Sequence, residues 1–277
     1  MLNLREIIGQ RTKYNLPKWL LHPLERLLHI EEINNIISAG QDLAPQEFLR
    51  YVFRWFDVSY DVAYTAPIDD HRYIFVANHP FGALDGMMLA DMLLRRWSDV
   101  GVIVNDLLMH IEPLRELWIP VNKYGRQHSA ELYHQSMRSA TKQLLTFPAG
   151  MCSRWVDGRV ADLRWRTRFV KDAEYYNRQV VPIYVDGTLS SRFYNIYKVR
   201  RALGLSVNVE LLLLVDELFR QRGTRVKIVV GRALDLRSMR GGVTECATSI
   251  RNEVYALRRF IPQQQTINHS AIADKIW

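Results

Sequence analysis

Cysteine is scarce in this 277-residue chain, with Cys152 and Cys246 the only two. Two thiols cannot build a disulfide scaffold, and no CxxC pair offers a zinc-binding spacing. Long apolar runs are missing as well. No uncharged stretch approaches the ~18–20 residues needed to span a bilayer, which excludes an integral multi-spanning protein. The opening Met-Leu-Asn-Leu-Arg-Glu has no apolar signal-peptide core, so the expected setting is reducing and cytoplasmic. There is no Gly/Ser linker and no repeat of 20–50 residues, so no domain boundary is sharply marked. The chain also lacks a Gly-x-x-x-x-Gly-Lys loop and a Gly-x-Gly-x-x-Gly fingerprint, which argues against nucleoside triphosphates and dinucleotides. A Gly-x-Ser-x-Gly nucleophile elbow is absent too.

What remains is an ordinary globular composition, 48% hydrophobic and 24% charged, which excludes disorder and low complexity. Its formal net charge of +8 is unevenly placed. Between Pro120 and Leu205 there are 15 Lys and Arg against 6 Asp and Glu, whereas the rest of the chain holds 22 against 23. A basic central region can face nucleic acid, anionic lipid headgroups or an acidic carrier protein, and charge alone leaves these open.

The first 60 residues read as helical. Pro17 precedes Leu20, Leu24, Leu27 and Leu28, which recur near the helical period. From Gln46 to Phe56, Leu49, Val52, Phe53 and Phe56 share one face and Arg50 and Arg54 another. Such a helix can lie in a membrane interface or pack on the core. Residues 61–277 then change pattern. Short apolar runs at Tyr73–Ala77, Val100–Val104, Leu144–Phe147, Val180–Val185 and Val226–Val230 read as buried strands. Asp85–Trp97, Ser129–Gln143, Asp162–Asn177 and Thr244–Phe260 read as helices. The alternation predicts an α/β domain, a largely parallel central sheet flanked by helices, preceded by an N-terminal helical segment. Ligands in such sheets sit beyond the carboxyl ends of the strands, which directs attention to the residues after Ala77, Val104, Phe147 and Val185.

The first of those loops carries the clearest chemistry. Asn78-His79-Pro80-Phe81-Gly82-Ala83-Leu84-Asp85-Gly86 follows a strand and opens a helix. A carboxylate at Asp85 can fix the tautomer of His79 and stabilise its imidazolium while the other ring nitrogen takes a proton. Pro80 and Gly82 fit a tight, fixed turn. A His near an Asp is equally the mark of a structural hydrogen bond.

Four stretches in order resemble the glycerolipid acyltransferases of the lysophosphatidate acyltransferase type. Asn78-His79-Pro80 with Asp85 resembles the first block, and Ile119-Pro120-Val121-Asn122-Lys123 the second. Phe147-Pro148-Ala149-Gly150-Met151-Cys152-Ser153-Arg154 resembles the third, and Val181-Pro182-Ile183 the fourth. The likeness is greatest to the bacterial hemolysin-like subgroup that includes lyso-aminolipid O-acyltransferases. The resemblance implies that His79 is general base on an acceptor hydroxyl that attacks a fatty acyl thioester, with Asp85 orienting it. It implies that Asn78, Gly82, Lys123, Phe147, Ala149, Gly150 and Arg154 line the substrate site. Direct transfer needs no acyl-enzyme, because a thioester is already activated.

Two departures stand out. The family's first block has four residues between His and Asp, whereas here there are five, and one extra residue turns a helical side chain by about 100°. The pair works only if the loop, not the helix, absorbs the insertion. In the third block Ala149 stands in place of a glutamate and Cys152 in place of the arginine that would hold a phosphate. That loss shifts the expected acceptor from lysophosphatidate towards a lyso-aminolipid, with Lys123, Arg126 and Arg154 as cations for its headgroup.

The implied donor is an acyl-carrier protein or acyl-CoA, used as co-substrate, with no cofactor and no metal; the remaining histidines show no metal-ligand spacing. Trp155 to Arg168 interleaves aromatics with arginines, a pattern shared by single-strand nucleic-acid grooves and lipid headgroup interfaces. Its place after the third block favours lipid, so nucleic acid is not an expected partner. The Leu211–Val215 run reads as core. The expectation is thus a peripheral enzyme of membrane lipid biosynthesis on the cytoplasmic face of the inner membrane. The alternative is a non-catalytic lipid- or acyl-carrier-binding protein of the same fold.

Overall fold

A computed structural model describes residues 18–121, 127–156, 158–204, 210 and 213–261. Its first three helices are α1 (Lys18–Leu27), α2 (Ile30–Ala39) and α3 (Pro45–Trp55). Pro45 opens α3 without losing a helical hydrogen bond, and the Glu47 side chain accepts the Ala44 N–H at 3.3 Å. Its apolar stripe, Phe48, Leu49, Val52 and Phe53, is buried in the main core. Of the two readings of this helix, packing on the core holds for that face. Arg50, on another face, reaches Asp91 at 3.6 Å. Among the described residues no helix is long and apolar enough to cross a membrane.

The chain continues through β1 (Ser59–Tyr64), β2 (Tyr73–Ala77), α4 (Ala83–Leu94), β3 (Val100–Val104), β4 (Trp118–Pro120), α5 (Gln127–Arg138) and β5 (Gln143–Thr146). A hairpin of β6 (Arg154–Val156) and β7 (Arg159–Ala161) follows, then α6 (Arg168–Tyr175), β8 (Gln179–Asp186), α7 (Ser191–Ala202), α8 (Leu213–Arg220), β9 (Arg225–Val230) and α9 (Val243–Ala256). The main sheet has seven strands in the order β1-β9-β8-β2-β5-β3-β4. Five neighbours, β8, β2, β5, β3 and β4, run parallel; β9 is antiparallel to β8, and β1 is parallel to β9. The α/β architecture with a largely parallel sheet is therefore as expected.

β2 explains why. Its five residues, Tyr-Ile-Phe-Val-Ala, are all buried, as a strand covered on both faces must be. Tyr73, Phe75 and Ala77 join one core layer, with α3 and α4. Ile74 and Val76 join the other, with α6 and α9. Because β2 is central, the residues after Ala77 emerge in the middle of the sheet's carboxyl edge, flanked by the ends of β5 and β8.

Two helix expectations need correction. Ser129–Gln143 ends as a helix at Arg138, because Gln143 belongs to β5, where its side chain accepts the Tyr73 N–H at 2.9 Å and donates to the His71 carbonyl at 3.0 Å. Asp162–Asn177 is helical only over Arg168–Tyr175; residues 162–167 are held out of the helix by the contacts of Asp162 described below. The Leu211–Val215 run is described only in part; Leu213 is buried in the main core.

Candidate active site

His79 leaves β2 in a loop whose backbone is tied on three sides. The Asn78 side chain donates to the Val185 carbonyl at 2.8 Å and accepts the Val185 N–H at 2.7 Å, extending the β2–β8 pairing by a side chain. The His79 N–H donates to Asp162 Oδ1 at 3.2 Å, and its carbonyl accepts the Ser153 N–H at 2.7 Å. The imidazole is stacked on Phe147, with ring centroids 4.1 Å apart and planes 29° apart. First and third blocks thus meet at one histidine, next to the end of β8.

Nδ1 of His79 lies 2.9 Å from Oδ1 of the fully buried Asp85. The oxygen sits off the ring N–H axis, so this is a close ion-pair approach, not a linear hydrogen bond. Free active sites commonly hold such pairs loosely and tighten them around substrate. The Asp85 carboxylate is itself fixed: Oδ2 accepts the Phe81 N–H at 2.9 Å and Oδ1 accepts the Gly86 N–H at 2.8 Å. The five-residue spacing is absorbed before the helix. Gly82 stands at φ +82°, ψ −113°, a conformation that side-chain-bearing residues rarely adopt, and α4 starts only at Ala83. Asp85 therefore sits in the first turn of α4 and points back to His79.

Burial disfavours the imidazolium, but the Asp85 charge, helped by Asp162, outweighs it and holds the His79 pKa above its ordinary value. One group the sequence reading did not single out is Asp162. Besides the His79 N–H it accepts Ser153 Oγ–H at 2.6 Å and Trp165 Nε1–H at 2.8 Å, and burial pushes its carboxyl up. Reading Asp162 as a helix start hid this; an Asp before Leu-Arg-Trp has no pattern that announces the His79 N–H as a partner.

The other expected site residues divide clearly. Gly150 has φ +67°, and the Arg166 guanidinium lies about where its Cβ would be crowded, with Cζ 3.2 Å from that position. Ala149 is buried beside it. Arg154 is fully buried and turned inward: it donates to the Cys152 carbonyl at 2.8 Å, approaches Glu210 at 3.6 Å and lies over Phe193 and Tyr197. Glu210 also pairs with Arg200 at 2.8 Å. Cys152 packs under Gly82, and burial pushes its thiol up to about 12. Lys123 and Arg126 lie outside the described residues. At the opposite, amino-end edge of the strands, a polar cavity of about 620 Å³ is lined by Arg72, Asp99, Gln143 and Arg178. Arg178 there is spent on backbone carbonyls of Ser136, Met137 and Ser139, so this cavity stands apart from the histidine chemistry.

A histidine held against a buried carboxylate at a strand end is an arrangement that general-base chemistry can use. Comparison with known proteins gives the class: a model of the acyltransferase family matches residues 8–263, and the chain belongs to that family. A curated lyso-glycine lipid O-acyltransferase of Bacteroides thetaiotaomicron is 31% identical over 261 residues, spanning 92% of this chain and 95% of its own. Another of the same name, from Phocaeicola vulgatus, is 30% identical and covers 82% of each chain. These relatives stand in the lyso-aminolipid branch that the four blocks resemble. The crystal structure of the 1-acyl-sn-glycerophosphate acyltransferase PlsC from Thermotoga maritima is 14% identical, with a TM-score of 0.49, and the alignment covers 90% of this chain and 100% of that one.

Proposed function

We propose that the protein is a membrane-associated O-acyltransferase that moves a fatty acyl group from an acyl thioester, on a carrier protein or CoA, to the free hydroxyl of a lysolipid. The observation that carries this reading is the 2.9 Å approach of His79 to a buried, backbone-fixed Asp85 across a spacing that would otherwise separate them. With Nδ1 committed to Asp85, Nε2 takes the acceptor's proton as the hydroxyl oxygen bonds the thioester carbonyl carbon. The tetrahedral oxyanion collapses, the C–S bond breaks, and the departing thiolate takes that proton back from the imidazolium. Ester and free thiol are the products. Asp85 keeps the tautomer and steadies the transient positive charge.

The names of the two curated relatives favour a lyso-glycine lipid, whose amino-acid headgroup carries a carboxylate, over lysophosphatidate. Arg166 is the exposed cation beside Gly150 that suits such a group, whereas Arg154 supports the third block from behind. The non-catalytic alternative rested on the extra residue, and a loop that takes up that residue favours the catalytic reading. The test is transfer of a labelled acyl group from acyl-carrier protein and from acyl-CoA to lyso-glycine lipid and to lysophosphatidate. His79→Ala should abolish product while the protein stays folded; full activity in that variant would refute the reading.

A further inference from the structure

We infer that the outward face of α7, together with Trp155 of the β6–β7 hairpin, is the surface that docks the protein on an anionic bilayer. The inference rests on the lysolipid reading above and adds to it where, and by what chemistry, the protein meets its lipid. A surface helix normally turns a polar face to water. α7, Ser-Arg-Phe-Tyr-Asn-Ile-Tyr-Lys-Val-Arg-Arg-Ala, does so with Ser191, Arg192, Asn195, Lys198 and Arg201, but it sets an aliphatic side chain among them. Phe193 and Tyr194 fill its buried side, yet Val199 is 58% exposed on the other, and Leu203, one residue past its end, is 67% exposed. Trp155 is 41% exposed, and the Lys198 ammonium lies over its ring at 4.5 Å, joining hairpin to helix. Scattered single apolar residues on a surface are ordinary; here two exposed aliphatic side chains stand four residues apart along one side of the helix, and an exposed indole packs against the Lys198 next to the first of them.

Among the described residues the exposed charges on α7 and the hairpin are all positive. α7 contains no Asp or Glu, and Lys198 and Arg201 are exposed on it, with Arg159 exposed on β7. Of the acidic groups that meet α7, Glu217 is buried on Ser190, Glu210 is buried on Arg200, and Asp216 is neutralised by Arg192 and Arg220, each at 2.8 Å. A tryptophan at headgroup depth, flanking aliphatics and a cationic rim are what an anionic interface binds. The position fits the chemistry. β6 begins at the residue after Ser153, whose N–H holds the His79 carbonyl, and α7 follows the carboxyl end of β8. The surface therefore lies at the same end of the sheet as His79. A lysolipid can then present its hydroxyl without drawing its acyl chain through water.

The experiment is co-sedimentation with phosphatidylcholine vesicles, with and without phosphatidylglycerol, for the full chain and for Val199→Glu/Leu203→Glu. Transfer is measured in parallel on a short-chain lysolipid below its micelle concentration. The wild type should bind the anionic vesicles, more weakly at high salt, and the double variant should bind at least about tenfold less. Transfer to the soluble acceptor should be unchanged, which also shows that the variant is folded. Trp155→Ala, a single exposed change, should weaken binding in the same direction. Unchanged vesicle binding in both variants, or no binding by the wild type, would overturn the inference. So would loss of binding to an acidic acyl-carrier protein with vesicle binding intact, since the face would then be a carrier site. Absence of wild-type transfer in the soluble assay would instead overturn the acyltransferase reading.

Discussion

Replacing Asp85 by Asn removes one charge 2.9 Å from Nδ1 of His79 and leaves the size of the side chain unchanged. At an effective dielectric of about 20, two unit charges 4 Å apart attract by about 4 kcal/mol, and each pKa unit is about 1.36 kcal/mol. Burial opposes this attraction in the native protein and is the largest single influence on His79. Once the carboxylate is gone, burial dominates, and the His79 pKa should fall from above its ordinary value to below it. A general base must be neutral, so the acid limb of the kcat/KM profile, which reports the free enzyme, should lie above pH ~6.5 in wild type. In Asp85→Asn it should move to lower pH by more than about one unit. The plateau should fall by about 10²–10⁴, because the amide no longer fixes the tautomer or supports the imidazolium. The amide also cannot accept both the Phe81 and Gly86 N–H groups, so stability should drop by about 1–3 kcal/mol. The assay is kcat/KM and kcat against pH for both proteins, with the limb read from kcat/KM, at temperatures where both remain folded. An unmoved limb with an unchanged plateau would refute the argument that Asp85 acts through His79.

Other outcomes follow from the same contacts. His79 has a raised native pKa, so its stabilising contribution is fully present below pH ~6.5 and is lost as pH rises through the native value. The stability gap between wild type and His79→Ala, from denaturant melts at several pH values, should therefore shrink towards alkaline pH. Asp162→Ala leaves the Ser153 hydroxyl, the Trp165 N–H and the His79 N–H unpaired. It should cost about 2–5 kcal/mol in melts, with Asp162→Asn intermediate. Gly82→Ala forces a φ of +82° on a side-chain-bearing residue against Cys152 Sγ and should cost about 1–3 kcal/mol and lower kcat. Cys152→Ala, by contrast, should keep the reaction, because a buried thiol pushed up to about 12 supplies no thiolate; loss of activity in a folded variant would point to an acyl-cysteine.

How much of this was legible beforehand depends on the residue. β2 declared itself because an unbroken buried run leaves few alternatives, and His79 followed from its end. The His79–Asp85 contact did not, because hydrophobic periodicity cannot say where between Pro80 and Asp85 the helix begins; the backbone turn at Gly82 decides that. Asp162 was hidden for a related reason: Trp165 and Ser153 lie near it in sequence, but the His79 N–H that ties it to the site lies 83 residues away, beyond any local window. β1 straddles the boundary at residue 60 and was not read as a strand, because Ser-Tyr-Asp-Val-Ala-Tyr is an edge strand, half exposed and carrying Asp61. α7 gave no amphipathic signal, since apolar residues occur on both of its sides. Arg154 showed its charge in the sequence but not its direction: an inward-turned arginine under the third block looks, in one dimension, the same as one facing a headgroup.

The most direct test combines purified full-length protein, radiolabelled acyl-carrier protein and lyso-glycine lipid, with product resolved by chromatography. The account predicts diacylated lipid that forms only when the acceptor is present, with one thiol released per ester made, and none from His79→Ala. Diacylated lipid formed equally by His79→Ala, or thiol released without acceptor and without ester, would contradict it.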